Sequence, residues 1–210
     1  VAFRIPNTFR RLFAEGTFNA AFVPSYTSEL VKGKKKSNIF ANEIFNLLFL
    51  ALLFLVLVAE IFMPIVVSLI APGFVEDSEK VKIATDLTRI MFPFLMFVSL
   101  SSFFAGILNS HNKFAVASAA PIILNIIMIV VLFFGNYLGN KLVLYLSLGV
   151  SLAGLIQLIF LYQFVKKFFL IKINFKFNIN EKVKNFFKKL LPSIFSSGVT
   201  QINILVGTII

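Results

Sequence analysis

Long apolar runs separated by short polar links dominate this sequence. The four runs in its centre span residues 44–75, 83–109, 114–140 and 142–165. A helix rises about 1.5 Å per residue, so each run can cross a hydrocarbon core of about 30 Å. The first run is longer than a crossing requires, and we expect it to tilt, to bend near Pro64 or to end outside the membrane. With further apolar segments at 1–30 and 190–210, the pattern predicts an all-α, polytopic membrane bundle of about six transmembrane helices.

The amino-terminal segment combines an apolar surface with a charged stripe. At about 100° per residue, one third of the helix circumference would carry the polar side chains Arg4, Asn7, Thr8, Arg11, Glu15 and Asn19. Each ionised group inside hydrocarbon costs at least about 2.5–3.5 kcal/mol, which favours a stripe that faces a bundle interior or a watery cavity. The alternative is that the arginines reach lipid headgroups or pair with Glu15, which lies four residues after Arg11. The stripe is therefore a candidate binding site.

Basic residues concentrate in alternate links. The links at 25–38, 110–113 and 166–189 hold thirteen lysines, whereas the links that follow residues 70 and 140 hold three. Lysine-rich links of membrane proteins remain in the cytoplasm, so the charge distribution favours one orientation over its inverse.

Several polar residues within or between the runs carry structural expectations. We expect Glu60 to be an interfacial or packed carboxylate, and Pro93 to be a kink. Asp86 and Arg89 are three residues apart, which suits an intrahelical ion pair. His111 has no second histidine or neighbouring carboxylate in the sequence, so we expect a solvated turn residue and not a ligand.

The last lysine-rich link contains two patterns. Residues 171–180 alternate between apolar and polar side chains, which predicts an extended strap. Five apolar residues then recur at helical spacing among lysines, namely Val183, Phe186, Phe187, Leu190 and Leu191. This second pattern predicts an amphipathic helix at the membrane surface, attracted to anionic lipid.

The composition excludes several classes of function. A hydrophobic content of 59% and a mean hydropathy of +0.93 are too high for a soluble domain. The net charge of +11 resides in the links, which argues against nucleic acid as a partner. The chain has no cysteine, no glycine-rich phosphate loop and no acidic pair at metal-ligand spacing, so we expect neither an enzyme nor a bound metal or cofactor. A cationic stripe among proline-interrupted helices is typical of a transporter for an anionic substrate.

Four stretches resemble one known family closely. They are FRIPNTFRRLFAEGTFNAAFVPSYTSEL, APGF at residues 71–74, LTRIMFPFLMFVSLSSFFAGILNSHNKFAVASAAPIILNIIMI and LPSIFSSGVTQIN. Together they resemble the lipid II flippase family (MurJ, also called MviN) of the multidrug/oligosaccharidyl-lipid/polysaccharide exporter superfamily. The resemblance implies that residues 1–210 form a single transmembrane domain fragment of an all-helical protein built as two similar bundles around a central cavity. This fragment would hold most of the amino-terminal bundle without its first helix, and the next bundle would start at about residue 190.

The resemblance also implies a substrate-binding site. The first arginine of the family's RR pair falls on Arg10, which implies contact with the pyrophosphate of the substrate, while Asn7 and Glu15 match neighbouring motif positions. Helical periodicity places Arg11 on the stripe with Arg4 and puts Arg10 about 100° away, unless a kink rotates the face. Some family members have a sodium site with a carboxylate on the seventh helix, but the corresponding QINILVGTII contains no acid.

The function that this resemblance implies is transport of lipid II from the inner to the outer leaflet of the bacterial cytoplasmic (inner) membrane, by alternating access, in peptidoglycan synthesis. The implied partners are lipid II and membrane lipids, with cell-wall synthesis proteins as further candidates. One alternative is a sibling exporter of polysaccharide-linked lipid or drugs. Another is a non-transporting membrane scaffold, whose arginines would form ion pairs between helices.

Overall fold

The computed structural model describes residues 17–74, 76–174 and 180–192 of the chain. These residues contain helices and no β-strand. The helices are α1 (Thr17–Val31), α2 (Lys34–Ile61), α3 (Met63–Ile70), α4 (Ser78–Met91), α5 (Pro93–Ser110), α6 (Phe114–Phe133), the single turn α7 (Gly135–Leu138), α8 (Leu142–Val165) and α9 (181–192). Short 3₁₀ turns occupy Pro72–Phe74 and Gly139–Lys141.

Four helical stretches are long and apolar enough to cross a membrane. They are Lys34–Ile61, Ser78–Ser110, Phe114–Phe133 and Leu142–Val165. The prediction of an all-α membrane bundle is thereby confirmed. The second half of the first expected crossing is described as α1, and of the sixth only residues 190–192 are described.

Prolines divide two of the long runs, as the sequence suggested. The helix of the first run begins at Lys34, before the apolar residues start, and ends at Ile61, and Pro64 lies in the first turn of the separate helix α3. Pro93 marks the boundary between α4 and α5, because a proline has no N–H to donate within a helix but is tolerated in its first turn. The amino end of α4 is capped by Asp77, whose Oδ1 accepts hydrogen bonds from the backbone N–H groups of Lys80 (3.1 Å) and Glu79 (3.2 Å). The bond from Lys80 contributes most to holding the pKa of Asp77 below its ordinary value.

Helix α5 lies in the centre of the bundle and packs against α1, α2, α6 and α8. The largest core cluster is aromatic, and it surrounds the fully buried Phe22 of α1. The Phe22 ring centroid lies 4.8 Å from that of Phe103, 5.6 Å from that of Tyr26 and 6.2 Å from that of Phe40. Rings at these separations attract one another beyond the area that they bury. Helix α1 is therefore held firmly on α2 and α5.

Small residues allow α8 to approach its neighbours closely. A Cβ atom on Gly154 would lie 2.7 Å from the Phe94 ring on α5, and one on Gly149 would lie 2.9 Å from Met128 on α6. Close approach at small residues is a common basis of helix association in membranes, where apolar burial between helices supplies little driving force. In contrast, α6 buries only Ala120 and leaves its other apolar side chains exposed or partly exposed, as expected of a helix that faces lipid.

Two expectations about single residues are wrong. His111 is only partly exposed: its ring stacks on Phe168 at 4.2 Å, and its Nε2 lies 3.3 Å from the hydroxyl of Tyr26. Burial, and secondarily the charge of Lys34, hold the pKa of His111 below its ordinary value. Arg89 turns away from Asp86 and towards the end of α2, where its Nε donates to the backbone oxygen of Glu60 at 3.3 Å. The sequence shows neighbours along one helix, whereas these contacts join different elements.

Helix α9 forms as predicted, but its apolar face contacts protein. Val183, Phe186 and Leu190 are buried in the same core cluster as Phe22. Phe187 and Leu191, which lie beside this face, are exposed. Periodicity correctly predicted the helix, and the expectation that all five apolar residues would face lipid is wrong for three of them.

The strap that precedes α9 is fastened to α2 by two asparagines. Asn42 Nδ2 donates to the backbone oxygen of Leu170 (3.1 Å), and Asn42 Oδ1 accepts from the N–H of Lys172 (2.6 Å). One helical turn further on, Asn46 Nδ2 donates to the oxygen of Lys172 (3.0 Å), and Asn46 Oδ1 accepts from the N–H of Asn174 (3.3 Å). Four residues of helix advance about 6 Å and two residues of extended chain about 6.6 Å, so the two spacings match. These contacts at alternate residues agree with the predicted extended conformation of residues 171–174. Residues 175–179 lie outside the described part.

Replacing Asn42 and Asn46 together by alanine should release the strap. The N–H groups of Lys172 and Asn174 lose their acceptors, each worth about 1 kcal/mol, so both amides should exchange with solvent about fivefold faster or more. Hydrogen exchange followed by mass spectrometry on the segment 170–174 would measure this. Asn125→Ala, at an exposed position of α6, is the control and should leave the exchange unchanged. Equal exchange in the double variant and the natural protein would contradict the assigned role of the two amides.

Candidate functional site

The five predicted substrate-binding residues lie outside the part of the chain that the structure describes. They are Arg4, Asn7, Arg10, Arg11 and Glu15. Asn19 is the last member of the predicted polar stripe and the only one whose side chain is described. It lies on α1 and faces α5, where its Nδ2 donates to Ser102 Oγ at 3.2 Å. The described end of the stripe therefore points into the bundle.

Asn19 lies at the edge of a polar pocket of about 280 Å³ between α1, α5, α6 and α8. Small and apolar residues form part of its wall. Its polar lining consists of Asn19, Ser101, Ser102, Asn109, Ser118 and Gln157. We call this site the polar pocket. No charged side chain is among the described residues that line it.

Several polar groups of the polar pocket are buried without a complete set of partners. The hydroxyl oxygen of Ser101 and Oδ1 of Asn19 are buried and have no hydrogen-bond partner among the described residues. Ser101 is only 4% exposed, and Gln157 only 3%. Pro121 has no N–H to offer the carbonyl group of Ala117, one turn earlier on α6, and both residues line the pocket. A buried polar group that lacks a partner costs about 1–3 kcal/mol, so the site favours an occupant that can form hydrogen bonds.

The chemistry of the polar pocket is that of neutral amides and hydroxyls. Such groups can bind hydroxyl, amide or water oxygens, but they supply no positive charge for a phosphate and no carboxylate for a divalent cation. Within the described ranges, no group of three or more histidine, cysteine or acidic side chains could hold a metal ion.

Sequence reasoning identified part of this pocket. It placed Asn19 on the polar stripe. It missed Ser101 and Ser102, because a serine in an apolar helix usually satisfies its hydroxyl on its own backbone. Ser110 and Ser147 do so, donating at 2.9 Å to the oxygens of Gly106 and Val143. No signal in the sequence distinguishes these two serines from Ser101, whose hydroxyl has no partner among the described residues.

A buried carboxylate joins α1 to α9. Glu29, whose side chain is 5% exposed, accepts from Lys32 at 2.7 Å and from Lys182 at 2.6 Å. The neighbouring Asn180 caps α9 by accepting from the N–H of Val183 (3.1 Å), and its Nδ2 donates to both carboxylate oxygens of Glu43 on α2 (2.9 Å each). These contacts hold the lysine-rich link on the bundle and belong to its architecture.

Helical spans, close packing at small residues and a polar pocket among apolar helices define a polytopic helical membrane protein. A family model described as "Lipid II flippase MurJ" matches residues 1–210. The chain belongs to the MurJ lipid II flippase family, as its motifs suggested.

Similar proteins agree with this assignment. A probable lipid II flippase MurJ of Rhizobium tropici is 42% identical over 215 residues, which cover 98% of this chain and 40% of that protein. One of Rickettsia prowazekii (strain Madrid E) is 40% identical over 211 residues, which cover 99% of this chain and 41% of that protein. A solved structure of lipid II flippase MurJ in an inward closed conformation superimposes with a TM-score of 0.79 at 26% identity, covering 98% of this chain and 41% of that one. The chain thus spans about two fifths of the length of these relatives.

Proposed function

We propose that this chain is part of a transporter that flips undecaprenyl-pyrophosphate-linked peptidoglycan precursor (lipid II) from the inner to the outer leaflet of the cytoplasmic membrane by alternating access. Membership of the flippase family supports this function. The observation that carries it is the polar pocket, which is lined by Asn19, the last residue of the predicted polar stripe. The chain would supply most of one of two bundles around a central cavity, with the second bundle starting at about residue 190.

The proposed role of each residue of the stripe follows from its charge. Arg10 and Arg11 would bind the pyrophosphate, because a guanidinium group stays ionised and can donate two parallel hydrogen bonds to phosphate oxygens. Glu15 would orient an arginine or exchange partners with it between states, and Arg4 and Asn7 would complete the polar stripe. The polyprenyl tail would remain in lipid, so only the headgroup would be desolvated by the protein.

The unpaired groups of the polar pocket favour transport over a non-transporting scaffold. A scaffold gains from buried polar groups only when these pair with one another across helices. Ser101 instead leaves a buried hydroxyl without a partner among the described residues. Such a group is costly in a static bundle and useful in a binding site.

The chain is a multi-pass membrane protein, and we place it in the bacterial inner membrane, where lipid II is made and exported. The turn at residues 110–113 would lie on the cytoplasmic side, as the lysine-rich links indicate. Cell-wall synthesis proteins that consume lipid II on the outer side are the expected protein partners.

A growth test in a bacterium whose own lipid II flippase can be switched off would examine this function. The full-length protein that contains this chain should restore growth, and lipid II should become accessible to reagents outside the cell. If the protein reached the membrane and lipid II still accumulated on the inner side, the proposal would be wrong. Transport of a polysaccharide-linked lipid in its place would indicate a sibling exporter.

A further inference from the structure

The polar pocket is separate in its chemistry from the arginine stripe, and the proposed roles of the arginines leave it without a ligand. We propose that the polar pocket binds a saccharide unit of the lipid-linked substrate, through the amide and hydroxyl groups of Gln157, Ser101 and Asn19. This inference rests on the proposed function, because it divides the headgroup of that substrate between two sites.

Because the described lining is uncharged, it suits only an uncharged part of the substrate. The pyrophosphate and the peptide carboxylates of a peptidoglycan precursor are ionised, and a buried site for either would require arginine or lysine. The described lining of the polar pocket has neither. The saccharide is the uncharged part of the headgroup, and it carries hydroxyl and acetamido groups that both donate and accept hydrogen bonds.

The lining offers partners of both kinds. The Gln157 amide, buried deep in α8, can donate and accept, and the Ser101 hydroxyl is buried without a partner in the described part of the chain. The carbonyl group of Ala117, which Pro121 deprives of its usual donor, is a further acceptor on the facing helix. A sugar ring would satisfy groups that are otherwise costly to bury.

The size and the position of the pocket agree with this ligand. At about 280 Å³ it is at the lower limit of small-molecule sites, which suits one sugar ring and excludes the whole headgroup. Asn109 and Ser118 line it near the turn at 110–113, and Ser118 is exposed. A sugar could therefore enter from the side on which the precursor is synthesised.

The test compares two ligands in the purified full-length protein: lipid II and undecaprenyl pyrophosphate, which shares the pyrophosphate and tail but has no sugar. Gln157→Leu and Ser101→Ala remove polar atoms with little change in volume. Each should weaken lipid II binding about fivefold, as expected for one lost hydrogen bond, and the double variant more, with binding of undecaprenyl pyrophosphate unchanged. Ser118→Leu, at an exposed position on the rim, should obstruct the pocket without destabilising the fold. It should also weaken binding of lipid II and leave binding of undecaprenyl pyrophosphate unchanged.

Ser147→Ala is the matched control, since Ser147 is buried on the same helix as Gln157 but bonds its own backbone. It should bind both ligands as the natural protein does. Equal losses for both ligands in the pocket variants would show a structural role and overturn the proposal. Unchanged binding of both would show that the pocket holds water only, which also overturns it. If the natural protein bound neither ligand, the proposed function itself would fail.

Discussion

Replacing Arg10 by alanine in the full-length protein should abolish growth of a bacterium that depends on it as its lipid II flippase. A guanidinium group that binds pyrophosphate bidentately makes two hydrogen bonds to a charged acceptor, each worth about 1.5–3 kcal/mol. Their loss should weaken lipid II binding about 100-fold or more. The growth assay together with the binding affinity of the purified variant would measure both consequences.

Three further variants sharpen this prediction. Arg10→Lys retains the positive charge but loses the planar pair of donors, so its effect should be intermediate. Arg11→Ala tests which arginine binds the pyrophosphate. The motif resemblance favours Arg10, and helical periodicity favours Arg11. Arg89→Ala is the control, because Arg89 contacts Glu60 on the neighbouring helix, away from the polar pocket. An Arg10→Ala protein that bound lipid II and supported growth as well as the Arg89→Ala protein would refute the role assigned to Arg10.

The apolar pattern predicted the crossings well because burial in lipid imposes a minimum length that few other structures need. It located the helix ends less well. Helix α2 begins at Lys34 and not with the first apolar residue, because a helix can continue beyond the membrane into water without losing its backbone hydrogen bonds. Pro64 and Pro93 were better markers, since both lie in the first turn of a new helix, whereas Pro24 and Pro121 lie within helices.

Periodicity showed which face of a helix is apolar, but not whether lipid or protein contacts that face. The apolar face of α9 was evident in the sequence, but the choice between lipid and protein was not. Phe186 contacts Phe18, Phe22 and Phe40 because the strap returns the chain to α1 and α2. Asn42 and Asn46 help to hold the strap in this position, and they are about 130 residues away from their backbone partners. No local pattern contains such a contact.

The candidate site likewise has a part that could be predicted from the sequence and a part that could not. The stripe of Arg4, Arg11, Glu15 and Asn19 was predicted from the periodicity of one helix and stays a prediction except at Asn19, which faces the bundle interior. The serines of the polar pocket depend on four helices that meet at one place. Their role comes from what surrounds them, since the same residue type elsewhere on α5 bonds its own helix.

Gly106 should tolerate no side chain, and even Gly106→Ala should destabilise the protein. A Cβ atom at this position would lie 2.6 Å from Asn19 Oδ1 and 2.8 Å from Cδ1 of Phe22. Phe22 cannot yield, because its ring is fully buried among the aromatic side chains that join α1 to α5. Overpacking of this kind costs about 1–3 kcal/mol, and the melting temperature of the full-length protein in detergent should fall accordingly.

The same substitution tests how the aromatic core supports the polar pocket. A displaced α1 carries Asn19 away from Ser102, so lipid II binding should weaken together with stability. Gly73→Ala is the control, because a Cβ atom there meets no atom within 4 Å and the backbone is not in a left-handed conformation. It should leave both the melting temperature and the affinity unchanged. A Gly106→Ala protein as stable as the Gly73→Ala protein would show that α1 and α5 are not in close contact at this point, and the support that this contact gives to the polar pocket would be lost with it.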